Sequence, residues 1–204
     1  MTEQQSPEWF LSRLGFATAS RAKDILATIK SGEAAARRDY KMQLVTERLT
    51  GVHVESFTNA AIEWGTEQEP FARMKYEAMT GNIVMESGFI KHGNLMAGAS
   101  PDGVIDADGM VEIKCPKTST HVDTLLNGMS SQHIPQMQFQ MWITGRQWND
   151  FVSFDPRLPE HLKLYVQRIV RDEEYIKNLE SEVMRFLEEV DEMVSKLTEL
   201  KGKK

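Results

Sequence analysis

The chain has 204 residues, 41% of them hydrophobic, with 24 basic and 30 acidic side chains and a formal charge of −6. That length carries one substantial core and is short for two comfortable domains, so a single domain over 1–204 is expected. The single cysteine excludes an internal disulfide and suits a reducing cytoplasm; with no basic-then-apolar leader and no apolar run of membrane-spanning length, a soluble cytoplasmic protein is expected.

The acidic total argues against a nucleic-acid partner only until its distribution is considered. Residues 13–48 hold Arg13, Arg21, Lys23, Lys30, Arg37, Arg38, Lys41 and Arg48, whereas much of the acid lies in 172–194. One basic surface on an otherwise acidic molecule is compatible with gripping DNA.

In chain order, Ser6-Pro7 predicts a helix start, with Ser6 as N-cap and Pro7 in the first turn, and Gly15 predicts its stop. Thr18-Ala19-Ser20 predicts a second helix running to about Thr28, with Ile25, Leu26 and Ile29 facing inward. A helix start flanked by hydroxyls and by Arg13 is a candidate anion site, to which Ser100 can contribute; Ser20 can also simply cap its helix, and the roles are compatible. Residues 31–36 read as a flexible link before a helix over Arg37–Thr50 that ends at Gly51. On that helix Arg37, Arg38 and Lys41, with Lys30 before it, are candidate phosphate contacts, although each alone also fits a solvated surface charge.

Asn59–Trp64 leads into a helix predicted over 66–79. Thr66 and Glu69 have capping-box spacing, so Glu69 has a structural explanation to set beside any functional one, and Pro70 in the first turn can shift its carboxylate. Ile62, just before, is a candidate wedge against a terminal base pair or an ordinary core residue. A strand is expected over Ile83–Ile90. Helices are expected over 119–127, closed by Gly128, and 132–144, closed by Gly145; the second sets Gln136 and Gln140 one turn apart on one face. Strands follow at Asp150–Phe154 and Leu164–Val170. Asp172–Leu200 then predicts one long amphipathic helix whose stripe covers a sheet, a sister subunit or both. Lys201-Gly202-Lys203-Lys204 is expected to be disordered, and the five scattered histidines lack zinc-site spacing.

Between the strand at 83–90 and the helix at 119–127 lies the chemistry. Met110-Val111-Glu112-Ile113-Lys114-Cys115 alternates polar with apolar, the pattern of a half-buried strand, so Glu112 and Lys114 share one face, about 7 Å apart along it. Asp102 precedes a turn-rich link ending in Asp108-Gly109. A hairpin loop of two or four residues would set Asp102 beside an odd-numbered apolar position; a loop of three or five, or a bulge near Pro101, sets it beside Glu112 and Lys114, and this second arrangement is expected. Two converging carboxylates, with the Ile113 backbone carbonyl as a further ligand, make a hard-cation site suited to Mg²⁺, with Mn²⁺ able to substitute. Lys114 beside it can polarise or help deprotonate a water, or steady charge developing on phosphorus. Taken bare, such a pair also describes a solvated ion pair on an ordinary hairpin.

An Asp, a short turn and Glu-x-Lys form the pattern of the PD-(D/E)xK nucleases. With its flanks, from Ser100-Pro101-Asp102-Gly103 to Glu112-Ile113-Lys114-Cys115-Pro116, the segment resembles the YqaJ-type phage recombination exonucleases, the lambda-exonuclease-like family. Further blocks resemble it in order: Arg13 to Ser20, Trp64 to Glu69, Gln136-Met137-Gln138 with Met141-Trp142, and Phe154 to Arg157, together spanning about residues 9–175. The resemblance implies an α/β fold with a mixed central sheet flanked by helices, as in restriction endonucleases. It implies active-site roles for Glu69 and Gln136 beside Asp102, Glu112 and Lys114, and a 5′-phosphate pocket of Arg13, Ser20 and Ser100. It also implies 5′→3′ digestion of linear duplex DNA to leave a 3′ tail, a ring-shaped homotrimer, a single-strand annealing protein as partner, and a phage or prophage origin in a bacterial host. A restriction-type endonuclease and a non-cutting DNA-end-binding module are the competing expectations.

Overall fold

The structure, a computed structural model, describes residues 4, 6–53 and 60–200. The expected lead-in from Asn59 falls partly outside them, and the tail at 201–204 wholly so. Helix α1 (Pro7–Arg13) starts as expected, with the Ser6 hydroxyl accepting from the Trp9 amide. The expected helix over 18–28 is instead a short strand, β1 (Ala17–Thr18), a 3₁₀ turn at Ala19–Arg21 and a single helical turn, α2 (Ala22–Ile25). β1 is drawn into a ladder by β3 (Ala97–Ala99), which also pairs with β2 (Ile90–Lys91). Of the strand expected over 83–90, only Ile90 belongs to β2, and Met85 makes an isolated bridge to Val104.

Helix α3 (Ala35–Thr50) begins two residues early and closes at Gly51, in the left-handed region at φ 68°. Helix α4 (Ala60–Thr80) begins well before the expected boundary. Thr66 therefore lies inside it, its hydroxyl donating to the Ile62 carbonyl one turn back, and the capping-box explanation of Glu69 is removed. Pro70 lies in the interior of α4 rather than in a first turn.

The central sheet has the order β4-β5-β6-β7, formed by Gly103–Ile105, Gly109–Lys114, Trp148–Phe154 and Leu164–Val170. β5 runs antiparallel to β4 and parallel to β6, so the sheet is mixed, and the smaller β1-β3-β2 sheet stands beside it. Between β5 and β6 come α5 (Thr118–Asn127) and α6 (Ile134–Thr144). β5 is buried on both faces rather than one. The face carrying Val111 and Ile113 packs with Ala72 and Tyr76 of α4, while Met110, on the other face, packs with Met141 of α6. The acid on that second face is thus pressed under a helix.

α7 (Glu173–Glu199) is capped by Asp172, whose carboxylate accepts from the Tyr175 amide at 2.9 Å. Its apolar stripe is buried within the chain: Leu179, Val183, Phe186 and Val190 join Tyr40, Leu44 and Phe139 in the larger core. Each such side chain contributes roughly 1.5–3 kcal/mol by leaving water. Among the described residues no helix is long and apolar enough to cross a membrane.

Candidate active site

The hairpin decides where the acids meet. β4 and β5 are joined by three residues, Asp106, Ala107 and Asp108, and pair as Gly103 with Val111 and Val104 with Met110. One step further, that register sets Asp102 opposite Glu112, the odd-numbered loop expected from the alternation. The turn is held by Arg146, just after α6, whose Nη1 donates to the carbonyls of Ile105, Asp106 and Gly109. Gly109 is required because a Cβ there would lie 2.1 Å from the Trp148 ring.

Asp102 Oδ2 accepts from the Ile113 amide at 2.6 Å. Glu112, only 1% exposed, accepts from the Lys114 ammonium and the Gln136 amide on Oε1, and from Gln140 on Oε2 at 2.6 Å. Gln136 and Gln140 reach one carboxylate because they are one helical turn apart on α6. Asp102, Lys114 and Glu69 line one cavity of about 500 Å³ with Ile62, Cys115, His133 and Phe151.

The electrostatics show crowding of like charge. Burial, and then the Glu112 charge, hold the Asp102 pKa well above the ordinary carboxylate value. Burial likewise raises Glu69; Arg73 opposes this and Glu112 adds to it. Burial works against the Lys114 ammonium, but Glu112 and Asp102 outweigh it and raise its pKa. The Cys115 thiol is pushed up to about 12 by burial and then by Glu69, an unreactive state that agrees with a packing role. Among the described residues no three His, Cys, Asp or Glu side chains form a ready metal cage. What fits a divalent cation is the charge of the donor set: the Glu112 charge adds to the burial that raises Asp102 and Glu69, against Lys114 and, at Glu69, Arg73 3.9 Å away, and a hard cation relieves that repulsion.

A second cavity, about 430 Å³, lies beside the first, and Ile62, 48% exposed, lines both. Arg21, paired with Asp24, and Glu47 also line it; the cation there that makes no ion pair among the described residues is Arg13. Its guanidinium stacks on Trp9 at 3.8 Å and its Nη2 reaches the Ser20 hydroxyl at 3.5 Å, while Trp9 Nε1 donates to the Ser100 hydroxyl at 3.0 Å. Arg13, Ser20 and Ser100 are thus brought together, with Trp9 as the link that sequence reasoning missed; its i,i+4 spacing to Arg13 on α1 was the available signal. Burial lowers the Arg13 pKa to about 10, and Arg13 makes no ion pair among the described residues.

The proposed phosphate contacts on α3 divide. Arg37 and Lys41 are not presented to solvent: both bind Glu33 and, across the core, Glu189 of α7, with Arg37 gripping both oxygens of Glu189 at 2.7 and 2.9 Å. The reason is long-range packing, since α7 lies against α3 and delivers Glu189 to them. Arg38 remains exposed beside Asp39, and Lys30 is exposed. His133, among the histidines given no role from the sequence, lines the acidic cavity, and its pKa is lowered by burial and then by Lys114.

Comparisons with known proteins agree with this arrangement. Residues 8–147 match the model of the YqaJ-like viral recombinase domain. The crystal structure of an alkaline exonuclease from Laribacter hongkongensis, LHK-Exo, superposes with a TM-score of 0.89 at 44% identity, covering 97% of this chain and 99% of that one; its complex with dAMP gives 0.91. A phage-related exonuclease from Haemophilus somnus shares the fold, with a TM-score of 0.73 at 16% identity over 89% of this chain and 96% of its own. The Escherichia coli K12 protein ExoD is 30% identical over 69 residues, 34% of this chain and 78% of ExoD. The chain therefore belongs to the YqaJ-like viral recombinase family and is a nuclease of the alkaline-exonuclease kind.

Proposed function

We propose that the protein is a Mg²⁺-dependent exonuclease that enters linear duplex DNA at a 5′ end, removes nucleotides 5′→3′ and leaves a 3′ single strand for annealing. The observation that carries this reading is the adjacency of an acidic cavity and a basic one across Ile62. A terminal 5′-phosphate held by Arg13, Ser20 and Ser100 would place the first linkages of that strand toward Asp102 and Glu112. The crystallised complex of LHK-Exo with dAMP, a mononucleotide, supports release of mononucleotides.

Asp102 and Glu112, with the Ile113 carbonyl, would hold the cation, which when bound supplies Lewis acidity and an activated water. Lys114, kept protonated by its acids, donates a hydrogen bond or steadies negative charge on phosphorus rather than serving as the base. Gln136 orients a neutral amide at Glu112 without adding charge to the site. Glu69 feels the charges of Glu112 and Lys114 from α4 and trims the position of water or phosphate. Ile62, exposed at the junction, would wedge apart the terminal base pair; Lys30 and Arg38 remain as surface contacts to the duplex backbone. The family resemblance adds a ring-shaped homotrimer around the track, a single-strand annealing partner and a host-cytoplasm location.

Digestion of linear duplexes bearing 5′-phosphate or 5′-hydroxyl ends, with Mg²⁺ or EDTA and beside a closed circle, tests the reading. Mg²⁺-dependent loss of the 5′-phosphorylated strand, slower with 5′-hydroxyl and absent from the circle, is expected. Cleavage of the circle, or digestion from 3′ ends, would overturn it.

A further inference from the structure

Beneath Glu112 lies a second polar layer that the proposed reaction does not use. Gln140 and Asn149 are both fully buried. Gln140 donates from Nε2 to Glu112 Oε2 at 2.6 Å, and Asn149 donates from Nδ2 to Gln140 Oε1 at 2.7 Å. Asn149 Oδ1 has no hydrogen-bond partner among the described residues. The register explains the contact: Asn149 pairs with Met110 and Phe151 with Glu112, so Asn149 shares a sheet face with the acid, one step down β6.

The orientation of this chain is forced from the top. An ionised carboxylate only accepts, so Gln140 must turn its NH₂ to Glu112 and its oxygen away. Asn149 must then turn its own NH₂ to Gln140, because the flipped amide would set two oxygens face to face. The remaining Asn149 oxygen is left without a partner in the core, which costs stability, and an apolar pair of similar volume would fill the space without that cost. An arrangement that accepts an orphaned buried acceptor to keep one donor aimed at a carboxylate serves the carboxylate.

We propose that Gln140 and Asn149 are positioning residues, a buried amide relay that fixes the rotamer of Glu112 so that its oxygens are set for a divalent cation. The proposal rests on the metal-dependent nuclease reading above. Outer partners of metal-binding carboxylates tune affinity by about 10–100-fold, and a relay of this kind should act at that size.

Gln140→Met and Asn149→Leu remove the donors while keeping most of the volume. Calorimetric titration of the protein with Mn²⁺ should show binding weakened by about 10–100-fold in each, with a matching rise in the Mg²⁺ needed for half-maximal digestion. Binding of a 5′-phosphorylated duplex end in EDTA should not fall, while Tm in EDTA should fall in each single variant, which orphans a buried partner, and recover in the double variant. Because Asn149 acts only through Gln140, the double variant should bind Mn²⁺ no more weakly than Gln140→Met alone. Unchanged Mn²⁺ affinity in a folded variant, or losses that simply add in the double variant, overturn the relay. Should the variants not fold, the unaltered protein still decides: the side-chain amide signals of Gln140 and Asn149 in ¹⁵N spectra must shift on Mg²⁺ addition, and unmoved signals reject the proposal. An unaltered protein that neither binds Mn²⁺ nor cuts DNA would instead sink the nuclease reading.

Discussion

Two clusters of acids and amines in this molecule are built from the same residue types and behave in opposite ways. Between α3 and α7, Arg37 and Lys41 face Glu33 and Glu189, two cations to two acids. There the hydrogen bond from Arg37 leads in holding the Glu189 carboxyl down at about 2, and Glu189 in turn raises Arg37. At the end of β5, Asp102, Glu112 and Glu69 face Lys114, with Arg73 reaching Glu69 alone at 3.9 Å, and burial and then the Glu112 charge still raise Asp102 and Glu69. A balanced cluster spends its electrostatics on holding two helices together; an unbalanced one keeps them in reserve for a ligand of opposite charge. The Arg13 cavity is the mirror case, a partly desolvated cation that makes no ion pair among the described residues.

The contrast is broken most directly at Asp102. Asp102→Ala should reduce DNA digestion by about 10³-fold or more, ~4 kcal/mol of barrier, while a 5′-phosphorylated end still binds in EDTA. Asp102→Asn sharpens the same point through stability. Because the folded pKa of Asp102 is raised, its favourable contribution exists below the free value of 3.8 and is lost as pH rises through the folded value. At neutral pH in EDTA the Asn variant should therefore unfold later, by about 2–4 °C per kcal/mol gained, and divalent ions should stabilise it less than the unaltered protein. An earlier-melting Asn variant would contradict the repulsion.

At the basic cavity, Arg13→Gln should slow digestion of 5′-phosphorylated ends by about 10–100-fold, ~1.4–2.7 kcal/mol, and erase the preference over 5′-hydroxyl ends, with Mn²⁺ affinity unchanged. A preference that survives would remove Arg13 from the end-binding role.

The balanced cluster should answer in stability and not in catalysis. Glu189→Gln should cost about 1 kcal/mol in urea unfolding at pH 7, a modest figure because Glu189 is 34% exposed and water screens the pair. The folded pKa lies below the free 4.5, so the contribution is complete above pH 4.5 and disappears as pH falls toward about 2. The gap between variant and parent should close over that window; a gap that widens in acid would be the wrong sign. Smallest of all, Ile62→Ala should slow digestion a few-fold with unfolding free energy within about 0.5 kcal/mol of the parent, as its half-exposed position implies.

Much of the site was legible because it depends on short-range geometry. The alternation through Glu112 and Lys114 required an odd hairpin loop to bring Asp102 alongside, and a three-residue loop is present. Gln136 and Gln140 shared a helical face before their common target was known, and Ser6 capped α1 as its position required. The strand expected over 83–90 and the helix expected over 18–28 were less secure, because segments that short take the structure their neighbours impose: β1 became a strand by pairing with β3.

Periods of two and 3.6 residues are properties of the backbone itself, so the amino-acid order alone determined which side chains share a face, where the caps fall and that two acids and an amine converge. Only the folded chain decided that the polar face of β5 is buried under α6, that Glu189 meets Arg37 across 152 positions and that Asn149 sits beneath Gln140. Those contacts depend on how whole elements pack, and no local period encodes which distant surface a side chain will meet.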